Sequence, residues 1–288
     1  MPELPEVETI RRGLVEHLTG RTITTVEGEG SRLVRKNPGG LPQLEGALLG
    51  ARVQSVERRG KFMWLVLEGN AEDAVVIHLG MSGQVRTATR APGELDRHEH
   101  LRLRLDNGEA VRFFDVRMFG HLTASDLTED KTGRLVPEIA THIAPDLLEF
   151  KEDDIGPLAK RFQASRRAVK TLLLDQGLTS GIGNIYADES LFRVAIHGAR
   201  PGDELGASIL RKTLMAARDV MGRAVEAGGT SFDELYVDVD GNPGYFEREL
   251  RVYGRAGRPC RDCGTLITRE VIGGRSHFSC PACQPPAA

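Results

Sequence analysis

The four cysteines of this 288-residue chain sit close together, as Cys260-x2-Cys263, sixteen residues, then Cys280-x2-Cys283. Two close pairs at this separation can set four thiolates at the corners of a tetrahedron, the closed geometry of structural zinc. Two disulfides or four buried thiols are the other uses of such a pattern. Neither suits a chain without a secretion signal, whose thiols stay reduced. With no open coordination position, one zinc ion would fold the module and perform no chemistry. Between the pairs, LITREVI alternates as a strand, Gly273 and Gly274 mark a turn and SHFSC returns. The pattern predicts a zinc-held β-hairpin with Gly273, Gly274 and Arg275 at its tip.

The rest of the chain divides by period. From about Arg21 to Leu122 the runs TITTV, ARVQSV, KFMWLVLE, AVVIHLGMSG and HLRLRLDNGEAVRFFDV read as short antiparallel strands. In the last of these, Leu101, Leu103 and Leu105 alternate with arginines before a DNG turn, and the set as a whole predicts a β-sandwich. From about Pro145 the period is helical, through PDLLEF, RRAVKTLLLDQ, IYADESLFRVA and ASILRKTLMAARDVMGRAVEAG. Two of these helices flank the glycine-rich turn TSGIGN, a helix–turn–helix-like unit. Asn184 opens the second helix, where unpaired N–H groups favour a phosphate, although an N-cap asparagine serving only the helix fits equally. Residues 123–142 show no sustained period and mark the boundary.

Length favours more than one domain. A net charge of −3 and a pI near 6.3 do not announce a nucleic-acid partner. Local sign differs, however: from Arg251 onward six arginines face only Asp262 and Glu270. Apolar runs such as FMWLVL are strand-sized, so no membrane partner is expected and the chain is placed in the cytoplasm.

The N-terminus, MPELPEVETIRRGL, is a candidate for chemistry. Removal of Met1 would leave Pro2 with a free secondary amine. An α-amino group titrates near 7.7–8.0 and is roughly one-tenth neutral at pH 7, far more than a lysine, so it is a ready nucleophile. Val7, Ile10, Leu14 and Leu18 fall on one helical face that can anchor this end. Glu3 and Glu6 would lie near the amine, able to move protons during attack on a carbon and iminium formation. The structural alternative is that proline and glutamate are ordinary helix-start residues.

PELPEVE, GKF at 60–62, HLGMSG at 78–83, DVRMFG at 115–120, GIGNIYADE at 181–189, VYGR at 252–255 and the finger with GGRSHFSCPACQ occur in order over nearly the whole chain. Together they resemble the bacterial formamidopyrimidine-DNA glycosylases. The resemblance implies an α+β multidomain protein. Its parts would be an N-terminal β-sandwich catalytic domain with flanking helices (1–135), a helix–two-turn–helix DNA-binding domain with a lesion-capping loop at 228–246 (136–247), and a four-cysteine zinc finger (248–288). It implies a base-excision repair enzyme that removes oxidised purines from damaged double-stranded DNA and then cleaves the strand, acting at the bacterial nucleoid as a monomer.

By the same resemblance Pro2 is the nucleophile, Glu3 its acid/base partner and Glu6 a supporting carboxylate. Lys61 assists elimination, and Arg275 with Asn184 grips the phosphates flanking the lesion. Met81, Arg117 and Phe119 fill the space left by a flipped base, Arg117 reading the orphaned cytosine; by period alone Met81 and Phe119 would be core. His98 would contact DNA, and Arg166 or Lys170 would reach backbone phosphate. Here the chain departs from the family pattern, with Ser165 where a lysine would align. An endonuclease VIII-type relative acting on oxidised pyrimidines and a non-enzymatic zinc-stabilised DNA-binding protein are the rival readings; LPEVE and the filling triad favour the purine enzyme.

Overall fold

The structure is a computed structural model and describes residues 2–28, 32–89, 93–230 and 237–286. It divides into two compact units, one of residues 1–142 with 227–245 and one of residues 143–226 with 246–288.

In the first unit, helix α1 (Leu4–Leu18) leads into strand β1 (Ile23–Gly28) and helix α2 (Gly40–Leu48). There follow β2 (Arg52–Arg59), β3 (Phe62–Glu68), β4 (Ala74–His78), β5 (Gly83–Ala88), β6 (Glu99–Leu105), β7 (Ala110–Asp115) and β8 (His121–Ser125). They form two four-stranded sheets, ordered β1-β6-β7-β5 and β2-β3-β4-β8, whose described pairs are all antiparallel. Val53 and Leu65 of one sheet and Leu103 and Val111 of the other share a core with Val7, Ile10, Leu14 and Leu18 of α1. This is the expected sandwich, and the apolar stripe of α1 anchors the N-terminus to it. A small pair, β9 (Leu127–Glu129) and β10 (Leu135–Pro137), closes the unit. Three-residue strands are too short to show a period, which explains why 123–142 read as featureless.

The second unit holds α3 (Glu152–Gln163), α4 (Val169–Leu173), α5 (Asn184–Arg193), α6 (Ala207–Glu226) and the hairpin of β11 (Thr268–Ile272) and β12 (Arg275–Ser279). PDLLEF is not a helix. Its neighbourhood commits backbone groups to the turn between α4 and α5: Ala144 N–H donates to the Gln176 carbonyl, and Ser180 N–H to that of Pro145. Gln176 shapes the same turn, accepting from Gly181 N–H and donating to the carbonyls of Leu174 and Ile182. Helix α3 tolerates Pro157 in its second turn.

The finger belongs to the same unit as the helices, and the boundary falls after His142. Residues 227–245 return to the first unit. Of the segment expected to cap the lesion, 231–236 lies outside the described residues.

Candidate active site and nucleic-acid interface

Pro2 and Glu3 are buried at the start of α1. Glu6, one turn on, holds them there. One of its carboxylate oxygens accepts from Glu3 N–H at 2.8 Å and the other from Thr230 N–H at 2.9 Å. The carboxylate therefore satisfies an orphan donor of the helix start and ties that start to the segment leading into 231–236.

Glu8 forms the next clamp. It is buried and accepts from Arg58 Nε at 2.9 Å, while Arg58 also donates to the Gly60 carbonyl. The two-residue turn Gly60–Lys61 between β2 and β3 is thereby fastened to α1. Burial opposes the Glu8 charge, but Arg11 and Arg58 outweigh it and hold the carboxyl down at about 2. Neither Glu8 nor Arg58 was picked out by sequence reasoning, because the pair spans fifty positions. Glu8→Ala leaves the Arg58 guanidinium buried without its carboxylate, a loss expected to cost about 3 kcal/mol. Urea unfolding of the two proteins measures it; a difference near zero would mean that the clamp is dispensable.

Beside Lys61, Phe62 of β3, His78 of β4 and His121 of β8 form a row of rings in register, with centroids 4.7 and 5.1 Å apart. Burial first, then the charges of Lys36, Lys61 and Arg35, push His78 down to about 4. Burial and its neighbours push His121 down to about 3. His78 Nδ1 accepts from Gly80 N–H, which leaves the proton of the neutral ring on Nε2. Both rings are neutral at pH 7 beside a cluster of three cations, an environment suited to an anion.

The unfolded chain binds protons at these histidines near pH 6.5 while the folded one does not, so stability is full above that pH and falls as the pH drops toward 4. Neither ring nitrogen of His121 has a hydrogen-bond partner among the described residues. His121→Leu is expected to flatten the loss of stability between pH 6.5 and 4, read as the urea midpoint across that range. An unchanged acid limb would show that His121 carries no such linkage.

Met81 and Phe119, which period alone places in the core, are 40% and 50% exposed, and Val116 is 52% exposed. Arg117 is exposed as well. Phe119 and Gly120 are held from behind, their carbonyls accepting from Arg35 at 2.9 and 2.6 Å. His98 occupies the left-handed region, φ 65. Its loop is pinned by buried Glu99, which accepts from Arg102 and Arg112 and from Asp96 N–H. Burial opposes the Glu99 charge, but Arg112 and Arg102 hold its carboxyl at about 2.

In the second unit the four cysteine sulfurs lie within 4.8 Å of one another, with Cys263 Sγ 3.4 Å from Cys280 Sγ and 3.5 Å from Cys283 Sγ. Four Zn–S bonds of about 2.3 Å require a tetrahedral edge near 3.8 Å, so the donor set fits structural zinc. The cluster of His197, Glu270 and His277 does not read as a metal site. His277 Nε2 accepts from Gly198 N–H and Nδ1 donates to Asp188, while His197 donates to Glu270 and accepts from Ala199 N–H.

The finger tip is seated on the helices. A β-carbon at Gly273, φ 55, would lie 2.9 Å from Thr171 Oγ1, so only glycine fits there without displacement. The Ser276 carbonyl accepts from both Asn184 Nδ2 at 2.8 Å and Lys170 Nζ at 2.6 Å. Asn184 is not the cap of α5, a position held by Gly183. Its side chain instead ties the helix start to the residue after exposed Arg275, leaving a buried Oδ1 without a described partner.

Three family models match the chain in order. They are the formamidopyrimidine-DNA glycosylase N-terminal domain at residues 1–122, the formamidopyrimidine-DNA glycosylase H2TH domain at 143–234, and the zinc finger found in FPG and IleRS at 257–286. The chain belongs to the formamidopyrimidine-DNA glycosylase family. A formamidopyrimidine-DNA glycosylase of Acidothermus cellulolyticus is 49% identical, the match covering 99% of this chain and 98% of that one. Among solved structures, the MutM (Fpg) protein of Thermus thermophilus superposes with a TM-score of 0.81 at 34% identity, covering all of both chains. A Lactococcus lactis Fpg in complex with DNA containing an abasic site gives 0.83 at 29% identity, covering 99% of this chain and all of that one.

Within this glycosylase fold one expected DNA contact needs correction. Lys170 is fully buried, and its ammonium is bound by Asp188 at 2.6 Å and the Ser276 carbonyl. It is a structural tie between α4, α5 and the finger, not a phosphate ligand. Arg166 makes only a long ion pair with Asp203 at 3.7 Å and has 95% of its side chain exposed, whereas Arg167 is paired more closely with Asp175 at 2.7 Å. Asp188 is a further residue that sequence reasoning missed, serving Lys170, His277 and Phe278 N–H together. Glu189 is another, accepting from the successive N–H groups of Arg251, Val252 and Tyr253 and so fixing VYGR onto α5.

Proposed function

We propose that this chain excises oxidised purines from duplex DNA with the Pro2 amine as nucleophile and Glu3 as its acid/base partner. It is a bifunctional DNA glycosylase and abasic-site lyase of base-excision repair, with a structural zinc finger. The observation that carries the assignment of Pro2 is the start of α1, where Glu6 ties the Glu3 backbone to that of Thr230 and Glu8 fastens the helix to the Lys61 turn.

The chemistry follows from the groups present. The amine attacks C1′ as the bond to the base breaks, and the departing base takes a proton. Ring opening of the sugar leaves an iminium on Pro2. Loss of a proton from C2′ expels the 3′ phosphate, and a second elimination expels the 5′ phosphate. Both leave as anions, and Lys61, Arg275 and Asn184 are the groups assigned to stabilise them. His98 and Arg166 hold the backbone, while Met81, Arg117 and Phe119 occupy the vacated stack. Zinc, held by Cys260, Cys263, Cys280 and Cys283, supplies the fold of the hairpin that presents Arg275.

The relatives named above are bacterial, and among the described residues no helix is long and apolar enough to cross a membrane. Action at the nucleoid in the cytoplasm accords with this.

Incision of duplexes carrying 8-oxoguanine opposite cytosine, 8-oxoguanine opposite adenine, or an oxidised pyrimidine tests the substrate class. The first is expected to be cut fastest. Fastest cutting of the pyrimidine lesion would move the chain to the endonuclease VIII type.

A further inference from the structure

The exposed side chain at 81 lies on the β4–β5 loop and those at 117 and 119 on the β7–β8 loop, and one buried carboxylate holds these loops in a common frame. Asp115 ends β7 and is 1% exposed. Its Oδ1 accepts from Ser82 Oγ at 2.5 Å and from Arg117 N–H at 3.1 Å, and its Oδ2 accepts from Gly120 N–H at 2.7 Å. Its own N–H donates to the His98 carbonyl at 3.0 Å, and its carbonyl lies 2.9 Å from His100 Nε2. Ser82 completes the frame by accepting from Arg117 N–H.

The two loops also interlock through backbone. Gly80 has φ 61, and a β-carbon there would fall 2.5 Å from the Phe119 carbonyl carbon. Met118, between Arg117 and Phe119, is held at φ 56, a conformation that a non-glycine residue keeps only when its surroundings impose it.

We propose that Asp115 is a positioning residue for reading the orphaned base, setting the Met81, Arg117–Phe119 and His98 loops in one rigid constellation before DNA arrives. This rests on the assignment of Met81, Arg117 and Phe119 to the vacated stack. A reader of base edges must be placed within a fraction of an ångström, and apolar side chains kept in water gain nothing by ordering themselves. A carboxylate accepting three hydrogen bonds supplies the order. In Asp115→Asn one oxygen becomes an NH2 group that faces an N–H or O–H donor, so at least one of these bonds is lost while the volume is kept.

The test uses the whole protein. Single-turnover excision of 8-oxoguanine opposite cytosine and opposite adenine is measured for wild type and Asp115→Asn. Each rate is normalised to borohydride trapping on single-stranded abasic DNA, which needs the amine but no orphan base. Normalised excision opposite cytosine is expected to fall, and the cytosine-over-adenine preference to shrink about tenfold, the worth of one well-placed base contact.

Unchanged preference and unchanged normalised excision in the folded variant overturn the proposal. So does a loss shared equally by excision and single-stranded trapping, the mark of general disruption. If Asp115→Asn does not fold, Ser82→Ala, which removes one of the three donors, must shift the preference in the same direction, and no shift overturns the proposal. Wild-type protein that excises no 8-oxoguanine would overturn the functional reading itself, whereas active wild type with an unaffected variant removes only the role of Asp115.

Discussion

Borohydride added while the protein turns over an 8-oxoguanine:cytosine duplex is expected to leave a covalent protein–DNA adduct on Pro2. The reagent reduces an iminium to an amine that cannot hydrolyse, so a band appears only if a protein nitrogen has bonded to C1′. Peptide mapping locates it. The mature N-terminus should begin at Pro2, since a retained Met1 would put an amide where the nucleophile must be. Pro2→Gly keeps a terminal amine but alters its basicity and placement, and excision should fall about a hundredfold, the usual consequence of a reacting group displaced by an ångström. Glu3→Gln should lower excision by about 10² to 10⁴, the range for a lost acid/base group. Strand cleavage at a preformed abasic site should suffer much less, because an open-chain aldehyde there has no base to expel. An adduct on an internal lysine such as Lys61 would sink the assignment of Pro2.

Removing zinc should have the second-largest effect. Metal binding to a four-thiolate finger supplies on the order of 10 kcal/mol of folding free energy, so chelation or Cys280→Ser is expected to unfold the β11–β12 hairpin. Arg275 and the Ser276 carbonyl then leave their places. Charge-assisted hydrogen bonds of roughly 1.5–3 kcal/mol are lost, and affinity for a lesion duplex should drop about a hundredfold. The first unit, whose core contains no finger residue, should keep its own unfolding transition. Full affinity in verified zinc-free protein would overturn the role of the metal.

What the sequence discloses follows the range of the forces involved. The cysteine spacing, the stripe of α1 and the alternation of β6 and β7 are local patterns, and the structure contains each of them. Alternation misled in one respect: Arg102, between Leu101 and Leu103, points to no solvent but is fully buried against Glu99 and Glu27.

The burial of Lys170 was equally invisible, because it depends on Asp188, eighteen positions away, and on a carbonyl 106 positions away. Periodicity assigned Met81 and Phe119 to the core because it registers that a residue is apolar, not what covers it. Only the resemblance to the family placed them at a surface. PDLLEF shows the converse failure, an apolar rhythm overridden by backbone bonds to the 176–180 turn.

The way the finger is seated bears on how this protein can be taken apart. Lys170, Asp188 and His277 are each fully enclosed, and the last belongs to the hairpin. A truncation ahead of the hairpin would uncover an ammonium and a carboxylate on one side and strip them of the Ser276 carbonyl and the imidazole. The helical segment is therefore a poor candidate for expression by itself. A chimaera that exchanges fingers between relatives must carry the matching residues at 170, 184 and 188 with the graft. Unlike a bead on a string, this finger cannot be transplanted without its socket.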